Sequence, residues 1–244
     1  MGIAARTLSV TVTLPAALSC ATIDRLQLEF QVAFAEPSPV VVLQGENGIF
    51  CEGMDLSIAG AGVCGATRSF VELLVALTKA PKPLLSFVDG VARGGGLGIL
   101  CASDVVLCTP QSEFSLPEAL YGFLPAAIFP LILDRLSPQK LRLLIVDGLS
   151  RGAEWAERNG LVDEIVASET ANASVSGWVR RLARTSRAGA VPALRSLCAR
   201  NSPLDVEGSI KTGAAETAAA LSCGDLGERI RTFAASGLAP WDWS

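Results

Sequence analysis

Apolar positions along the chain alternate between short runs typical of strands and longer stretches with helical spacing. Residues 8–14 alternate apolar and polar side chains, which predicts a half-exposed strand. Residues 23–34 have an ambiguous periodicity, but the segment is longer than a usual strand, which favours a helix. Val40–Gln44 is a continuous, mainly β-branched run and predicts a strand buried on both faces, as in a parallel sheet.

The same order of strand and helix returns further along the chain. Residues 69–77 have helical spacing and stop before two prolines, and Leu84–Val88 and Val105–Cys108 predict buried strands. Alternating strands and helices indicate an α/β fold. Beyond Pro125 the pattern predicts helices over residues 128–136, 139–146, 151–159, 175–185, 192–200 and 213–233, with Pro203 and Gly208 marking linkers.

Composition narrows the class of protein. Of the 244 residues, 50% are hydrophobic, yet no uncharged apolar run reaches the roughly 18 residues that a transmembrane helix needs. We therefore expect no membrane association, and we expect the apolar surplus to form subunit contacts in an oligomer. Residues 1–18 lack the continuous apolar run of a secretory signal, so the expected location is the cytoplasm.

Charge and the missing histidine exclude several functions. The net charge is −4, and the basic residues are scattered apart from one cluster, so nucleic-acid binding is not expected. That cluster is Arg180, Arg181, Arg184 and Arg187. Seven cysteines without a CxxC spacing indicate neither a disulfide framework nor a zinc site. The absence of histidine excludes Ser-His-Asp and Cys-His hydrolases and histidine-bound metals, so carboxylates, Tyr121, Lys or Cys must do any acid/base work.

Three consecutive glycines, Gly94 to Gly96, separate an apolar strand from the start of a helix at residues 97–102. Glycine permits positive φ and close approach of a ligand, and the amides at a helix N-terminus have no partner within the helix. The following Leu97-Gly98 does not match a Walker phosphate loop, and the glycines lack dinucleotide-binding spacing. The triplet is therefore either a close-packing turn or a site that stabilises a carbonyl oxyanion.

A second turn follows the strand Val40–Gln44. Gly53 frees the backbone before Met54, and the carboxyl edge of a parallel sheet is where ligands bind. If this segment is more than an ordinary loop, the Met54 amide points into the same crevice as the Gly95 amide. Two converging amides would form an oxyanion hole.

Several ordered motifs resemble the enoyl-CoA hydratase/isomerase (crotonase) superfamily over residues 40–166. They are Phe-Cys-Glu-Gly-Met-Asp-Leu at 50–56, the glycine segment 90–96 with Asp104, Pro117-Glu118 with Gly122 and Pro125, and Ala156 with Gly160-Leu161-Val162. The resemblance implies an α/β fold, a crotonase (ClpP-like) spiral of ββα units. It also implies two regions: a spiral core with the active site over residues 1–170, and a helical region over 171–244 for oligomerisation and active-site cover.

The resemblance also implies site residues. Met54 and Gly95 match the residues whose backbone amides bind the thioester oxygen, and Glu118 matches one of the two catalytic glutamates of family hydratases. The other glutamate falls on Gly98, which puts ordinary water addition to enoyl-CoA in doubt. Tyr121, Leu120, Phe123 and Gly98 are candidates for the substrate pocket, Tyr121 for orienting substrate or for packing. Leu116, Leu120 and Phe123 are expected to raise the pKa of Glu118 by desolvation.

Residues 114–126, together with Gly98, look like the dehydratase of polyketide β-branching cassettes. That enzyme dehydrates 3-hydroxy-3-methylglutaryl groups on acyl carrier protein, whereas the companion decarboxylase generally uses a histidine. Two alternatives stay open: a double-bond isomerase, which also needs only one glutamate, and a non-catalytic subunit of the same fold. In each catalytic case the carrier is the phosphopantetheine of acyl carrier protein or CoA, with no other cofactor and no metal.

The expected partners follow from the same resemblance. The expected assembly is a homotrimer or a dimer of trimers. No lysine follows Lys211, whereas crotonases often place a late lysine or aromatic residue near the CoA adenine, which favours carrier protein over CoA. The arginines around Arg180 are either a solvated helix face or a landing patch for an acidic carrier protein.

Overall fold

Repeated units of a long strand, a short strand and a helix build the first half of the chain. The computed structural model describes residues 7–55, 63–187 and 189–221, with residues 228 and 232. The bounds are β1 (Ser9–Thr13), α1 (Cys20–Ala35), β2 (Val40–Gln44), β3 (Ile49–Cys51), α2 (Val63–Thr78), β4 (Leu84–Val88), β5 (Val91–Arg93), α3 (Gly95–Cys101), β6 (Val105–Cys108) and β7 (Glu113–Ser115). A 3-10 helix, Pro117–Tyr121, follows β7 in place of an α-helix.

The second half is mainly helical and returns twice to the sheets. Its elements are α4 (Phe129–Leu133), α5 (Pro138–Asp147), β8 (Arg151–Gly152), α6 (Ala153–Arg158), β9 (Glu164–Ile165), the 3-10 helix Ser168–Thr170, α7 (Ala171–Arg187), α8 (Ala190–Asn201) and α9 (Val206–Leu221). The boundary predicted at residue 170 coincides with the start of α7. Whether the two regions are separate units stays a prediction.

The described strands form two sheets. One has the order β1-β2-β4-β6-β9, with every pair parallel, and the other has the order β3-β5-β7-β8, antiparallel only between β7 and β8. Each successive ββα unit adds one strand to each sheet, so the chain advances as a spiral. The predicted α/β fold of ββα units is confirmed.

The larger sheet is buried on both faces, as predicted for β2. Val41 and Leu43 belong to the main core, which includes the buried residues of α1 and α2. Val40 and Val42 pack on the opposite face with Val179 of α7. The carboxyl ends of these strands therefore lie between two helical layers, where the loops that follow them can form a crevice.

Helix starts differ from their predicted positions because side-chain caps lie outside the apolar pattern. α1 begins at Cys20 rather than residue 23, since Ser19 and Thr22 form a capping box in which the Ser19 amide donates to the Thr22 Oγ1 at 2.8 Å. Gly208 does not mark a linker but lies inside α9. Its amide donates to the Asp205 Oδ1 at 3.0 Å, which starts that helix earlier than predicted.

The short strands were not predicted. β3, β5 and β7 have three residues each and β8 and β9 have two, too few for a period to be visible. Residues 151 and 152, predicted as helix, instead form β8, which pairs with β7. Residues 222–233 of the last predicted helix lie outside the described residues, apart from 228 and 232.

Three of the cysteines whose side chains are described lie in the core. They are Cys51, Cys101 and Cys108, and burial raises the pKa of each thiol to about 12. Cys20 is half-buried and Cys198 is exposed. The described part of the chain holds no group of three or more His, Cys, Asp or Glu residues arranged to bind a metal. It also contains no helix with both the length and the apolar character needed to cross a membrane.

Candidate active site

A cavity of about 330 Å³ lies beside the glycine triplet and brings together residues from distant parts of the chain. It is lined by five of the seven predicted site residues: Met54, Gly95, Glu118, Tyr121 and Phe123. Leu120 and Gly98, the other two, do not line it. The Leu120 side chain instead packs against Gly148, whose ideal Cβ would lie 2.9 Å from the Leu120 Cδ1.

Met54 and Gly95 line the same cavity because Gly53 allows two backbone segments to approach closely. Gly53 has φ +83°, and an ideal Cβ there would lie 2.6 Å from the Gly95 nitrogen. Two hydrogen bonds to Leu18 hold the segment: the Leu18 amide donates to the Gly53 carbonyl at 2.8 Å, and the Asp55 amide donates to the Leu18 carbonyl at 2.9 Å. This bridge uses the residues on either side of Met54 and leaves the Met54 amide out of it.

The Gly95 amide lacks an acceptor among the described residues for a different reason. Gly95 is the first residue of α3, so its N–H has no carbonyl one turn earlier in the helix. Neither this amide nor that of Met54 donates a backbone hydrogen bond to another described residue. Two amides at one cavity are the arrangement that stabilises a carbonyl oxyanion.

Glu118 lies in the 3-10 helix Pro117–Tyr121 and is 8% exposed. Its Oε2 is buried and has no hydrogen-bond partner among the described residues. Burial raises the pKa of this carboxyl to about 7, although the Glu118 backbone amide acts in the opposite direction. A carboxyl with this pKa holds and releases a proton near neutral pH, which suits acid/base catalysis.

Gly94 places the Glu118 carboxylate next to the glycine turn. It has φ +50°, and an ideal Cβ there would lie 2.8 Å from the Glu118 Oε1. A larger residue at this position would therefore press on the carboxylate. The acid/base group thus lies beside the short stretch of backbone that carries the Gly95 amide.

Leu116 and Phe123, two of the apolar residues expected to desolvate Glu118, lie in different surroundings. Leu116 is fully buried in the core, and Phe123 lines the cavity with its ring stacked on Tyr121, the centroids 6.3 Å apart. Burial also raises the pKa of Tyr121, with Glu118 adding to the effect. Tyr121 therefore keeps its phenolic proton beside the carboxylate.

Gly98 is separated from the cavity by Ile128. An ideal Cβ on Gly98 would lie 2.3 Å from the Ile128 Cγ2, and Ile128 itself lines the cavity. A glutamate at position 98 would therefore have to displace Ile128 to reach substrate. The second glutamate of family hydratases has no counterpart at this position.

The match with known proteins agrees with this geometry. The family model described as Enoyl-CoA hydratase/isomerase matches residues 6–212. The chain belongs to this family. The expectation drawn from the motif resemblance is therefore confirmed at the level of family and fold.

Individual family members give a more detailed comparison. The bacillaene synthase dehydratase PksH of Bacillus subtilis is 29% identical over 130 residues, 51% of this chain and 50% of that protein, so the match spans about half of PksH. The carnitinyl-CoA dehydratase of Proteus mirabilis is 28% identical over 176 residues, 70% of this chain and 67% of that enzyme.

Solved structures of the family extend over nearly the whole chain. The crystal structure of PksH has a TM-score of 0.85 at 20% identity, with 96% of each chain covered. An enoyl-CoA hydratase from Mycobacterium avium has a TM-score of 0.84 at 26% identity, with 98% of this chain and 94% of that chain covered. The first of these supports the fold alone.

Helix α9 forms one wall of the site. Thr217 and Leu221 line the cavity, and the Thr217 hydroxyl donates to the Leu124 carbonyl at 3.3 Å. Gly213 packs so tightly that an ideal Cβ would lie 2.1 Å from the Ala126 carbonyl oxygen. The family-based expectation that the C-terminal region covers the site agrees with these contacts, while its role in oligomerisation stays a prediction.

The arginine cluster lies away from the cavity. It belongs to α7, whose Val179 and Ala183 pack on the larger sheet, and no residue of α7 lines the cavity. The exposed Arg181 guanidinium lies 3.8 Å from the centroid of the Trp178 ring. Whether the cluster is a solvated helix face or a landing patch for a carrier protein stays a prediction.

Several lining residues were not singled out from the sequence. Phe70, Ile128 and Leu221 come from α2, the turn before α4 and α9, and only tertiary packing brings them together. Arg93 also lines the cavity. Its sequence signal is that it is the only positively charged residue between the apolar strand and the glycine triplet.

The raised pKa of Glu118 predicts a pH-dependent stability. Because the folded pKa (about 7) exceeds the ordinary value of 4.5, the contribution of this group is fully present below pH 4.5 and is lost as the pH rises through 7. At about 1.4 kcal/mol per pKa unit, the loss is about 3 kcal/mol by pH 8. Urea unfolding of wild type and Glu118→Gln across this range should show the variant gaining stability relative to wild type by this amount. A constant difference between the two proteins would contradict the assignment.

Proposed function

We propose that the protein is a lyase that dehydrates a 3-hydroxyacyl thioester, and that its substrate is 3-hydroxy-3-methylglutaryl-acyl carrier protein, giving 3-methylglutaconyl-acyl carrier protein in polyketide β-branching. The observation that carries the proposal is the single buried, unpaired carboxylate of Glu118, with a pKa of about 7, beside the Met54 and Gly95 amides. The site thus has one buried carboxyl for acid/base work and one place for an oxyanion, whereas Glu52, which also lines the cavity, is exposed and Asp55 is half-buried.

The reaction uses these groups in two steps. The Met54 and Gly95 amides donate to the thioester oxygen, and Glu118 removes the α-proton, so that the C–H electron pair becomes an enolate. Each such donor stabilises the developing charge by about 3 kcal/mol. The enolate then forms the α,β double bond and expels the β-hydroxyl, to which the protonated Glu118 gives its proton. One water leaves, and Glu118 is a carboxylate again.

Two observations support dehydration with a single glutamate over the two-glutamate chemistry of family hydratases. Glycine stands at position 98, shut off by Ile128, so the second glutamate of family hydratases is missing. The relatives described above include two proteins named as dehydratases. A tertiary β-hydroxyl leaves through an enolate with a single acid/base on one face, so Glu118 suffices.

Isomerisation is the second candidate, because the same Glu118 can carry a proton from the α-carbon to the γ-carbon. The test compares two thioesters in D₂O, one with a 3-hydroxy-3-methylglutaryl group and one with a β,γ-unsaturated acyl group. The proposal expects the first thioester to form a conjugated enoyl thioester, and the ultraviolet absorbance of this product measures its formation. Deuterium uptake and double-bond migration in the second, with no reaction of the first, would replace the dehydratase by the isomerase.

The proposal also covers the carrier of the acyl group and the oligomeric state of the protein. The resemblance of residues 114–126 to the dehydratase of polyketide β-branching cassettes, which acts on acyl carrier protein, supports that carrier over CoA. Equal kcat/KM for carrier-bound and CoA-bound substrates would remove that preference. We further propose a homotrimer or dimer of trimers.

A further inference from the structure

Arg93 is the only positively charged residue among the described residues that line the cavity. It ends β5, two positions before Gly95, and pairs across the second sheet with Ser115. Since successive Cα atoms are about 3.8 Å apart, the Arg93 Cα lies within about 7.6 Å of the Gly95 Cα. The backbone therefore anchors this cation close to the amide assigned to the thioester oxygen.

The Arg93 guanidinium has donors to spare. Its hydrogen bond within the described part of the chain runs from Nη1 to the Glu52 Oε1 at 3.1 Å, and both side chains are 40% exposed. A guanidinium has five N–H donors in a fork that fits a carboxylate. An ion pair this exposed holds its partners weakly, so an incoming carboxylate can join or replace Glu52.

Other walls of the cavity are apolar, and a hydrocarbon acyl chain bound against them would not need a cation. Phe70, Phe123 and Ile128 supply apolar walls. Arg93 acts electrostatically on this site, because it lowers the pKa of Tyr121 against the raising effects of burial, Glu118 and Glu52. The other charged residues among those described that line the cavity, Glu52, Asp55 and Glu118, are acidic, so an anionic group on the substrate would be attracted by Arg93 alone.

Building on the proposed function, we propose that Arg93 binds the terminal carboxylate of the substrate's acyl group and so selects dicarboxylic acyl thioesters over monocarboxylic ones. The carboxyl carbon of a 3-hydroxy-3-methylglutaryl group is four bonds from the thioester carbon, roughly 5 Å. Arg93 and Gly95 line the same cavity, so a group of this length can contact both. The phosphate of the carrier lies at the other end of the pantetheine arm, far from the thioester.

Calorimetric titration with unreactive ligands tests this assignment. Glutaryl-pantetheine and its terminal carboxamide have the same shape, lack the β-hydroxyl and carry no phosphate. Wild type should bind the acid about 10- to 100-fold more tightly than the amide, as expected for hydrogen bonds to a charged group. Arg93→Gln should bring this ratio close to one.

Two further variants sharpen the result. Glu52→Gln removes the competing carboxylate and should raise the affinity for the acid. Arg25→Gln is the matched control, because Arg25 forms a similarly exposed pair with Glu29 at 3.3 Å and does not line the cavity. This control should retain the wild-type ratio.

Equal binding of acid and amide by wild type would overturn the inference, as would an unchanged ratio in Arg93→Gln. The binding assay involves no reaction, so it is independent of the proposed function. A retained preference for the acid, with no dehydration of any 3-hydroxyacyl thioester, would reject the proposed function and leave the Arg93 assignment standing. Dehydration without a preference for the acid would reject the Arg93 assignment and leave the proposed function standing.

Discussion

Glu118→Gln should lower kcat for dehydration by about 10²-fold or more, because general acid/base catalysis contributes at least that much. Glutamine keeps the shape of the side chain and lacks a group that can take up the α-proton. The carboxylate Oε2 is buried and unpaired, so the neutral amide should not disrupt the fold. Steady-state kinetics together with a thermal unfolding scan would separate the loss of chemistry from any loss of structure.

The matched control for this variant is Glu113→Gln. Glu113 lies five positions earlier, is exposed, and accepts a hydrogen bond from the Ser150 hydroxyl at 2.9 Å outside the cavity. Its replacement should leave kcat unchanged. Turnover of Glu118→Gln within about threefold of wild type would remove Glu118 from the mechanism, since general acid/base catalysis supplies far more than that factor.

Gly53→Ala should have the second large effect, through the oxyanion hole rather than the carboxylate. A Cβ at position 53 would lie 2.6 Å from the Gly95 nitrogen and 3.1 Å from the Arg93 carbonyl oxygen. Both contacts are with backbone, so the Gly95 amide must move. Loss of one oxyanion donor costs about 10²- to 10³-fold in kcat, and we expect a decrease of this size in the steady-state rate.

Gly48→Ala controls for the strain that alanine suffers at positive φ. Gly48 has φ +75°, close to the +83° of Gly53, but an added Cβ there meets no atom within 4 Å. Both variants should lose about 1 kcal/mol of stability from backbone strain. Only Gly53→Ala should also lose turnover, and equal kcat values for the two variants would contradict the assigned role of the Gly95 amide.

The sequence predicted those parts of the fold that long apolar runs determine. β2, β4 and β6 have the predicted bounds because a strand buried on both faces extends over its apolar run and ends where proline, glycine or polar residues flank that run. The short strands β3, β5 and β7 depend on pairing with one another rather than on their own pattern. Nothing local to Ile49–Cys51 distinguishes it from a loop.

The candidate site likewise has parts that local sequence predicts and parts that depend on tertiary packing. The Met54 and Gly95 amides and Glu118 could be predicted, because glycines and a Pro-Glu pair mark them in order along the chain. The placement of Leu120 and Gly98 could not, because it depends on Gly148 and Ile128, which approach them only in the folded chain. The contribution of Thr217 to the cavity likewise depends on how α9 packs.

Intact-protein mass spectrometry of the carrier tests the central claim most directly. Acyl carrier protein loaded with a 3-hydroxy-3-methylglutaryl group would be incubated with wild type, with Glu118→Gln and with the Glu113→Gln control. The account predicts that wild type and the control remove the mass of one water from the carrier, and that Glu118→Gln does so about 10²-fold more slowly. A carrier mass that never changes with wild type, while a β,γ-unsaturated thioester is isomerised, would contradict it.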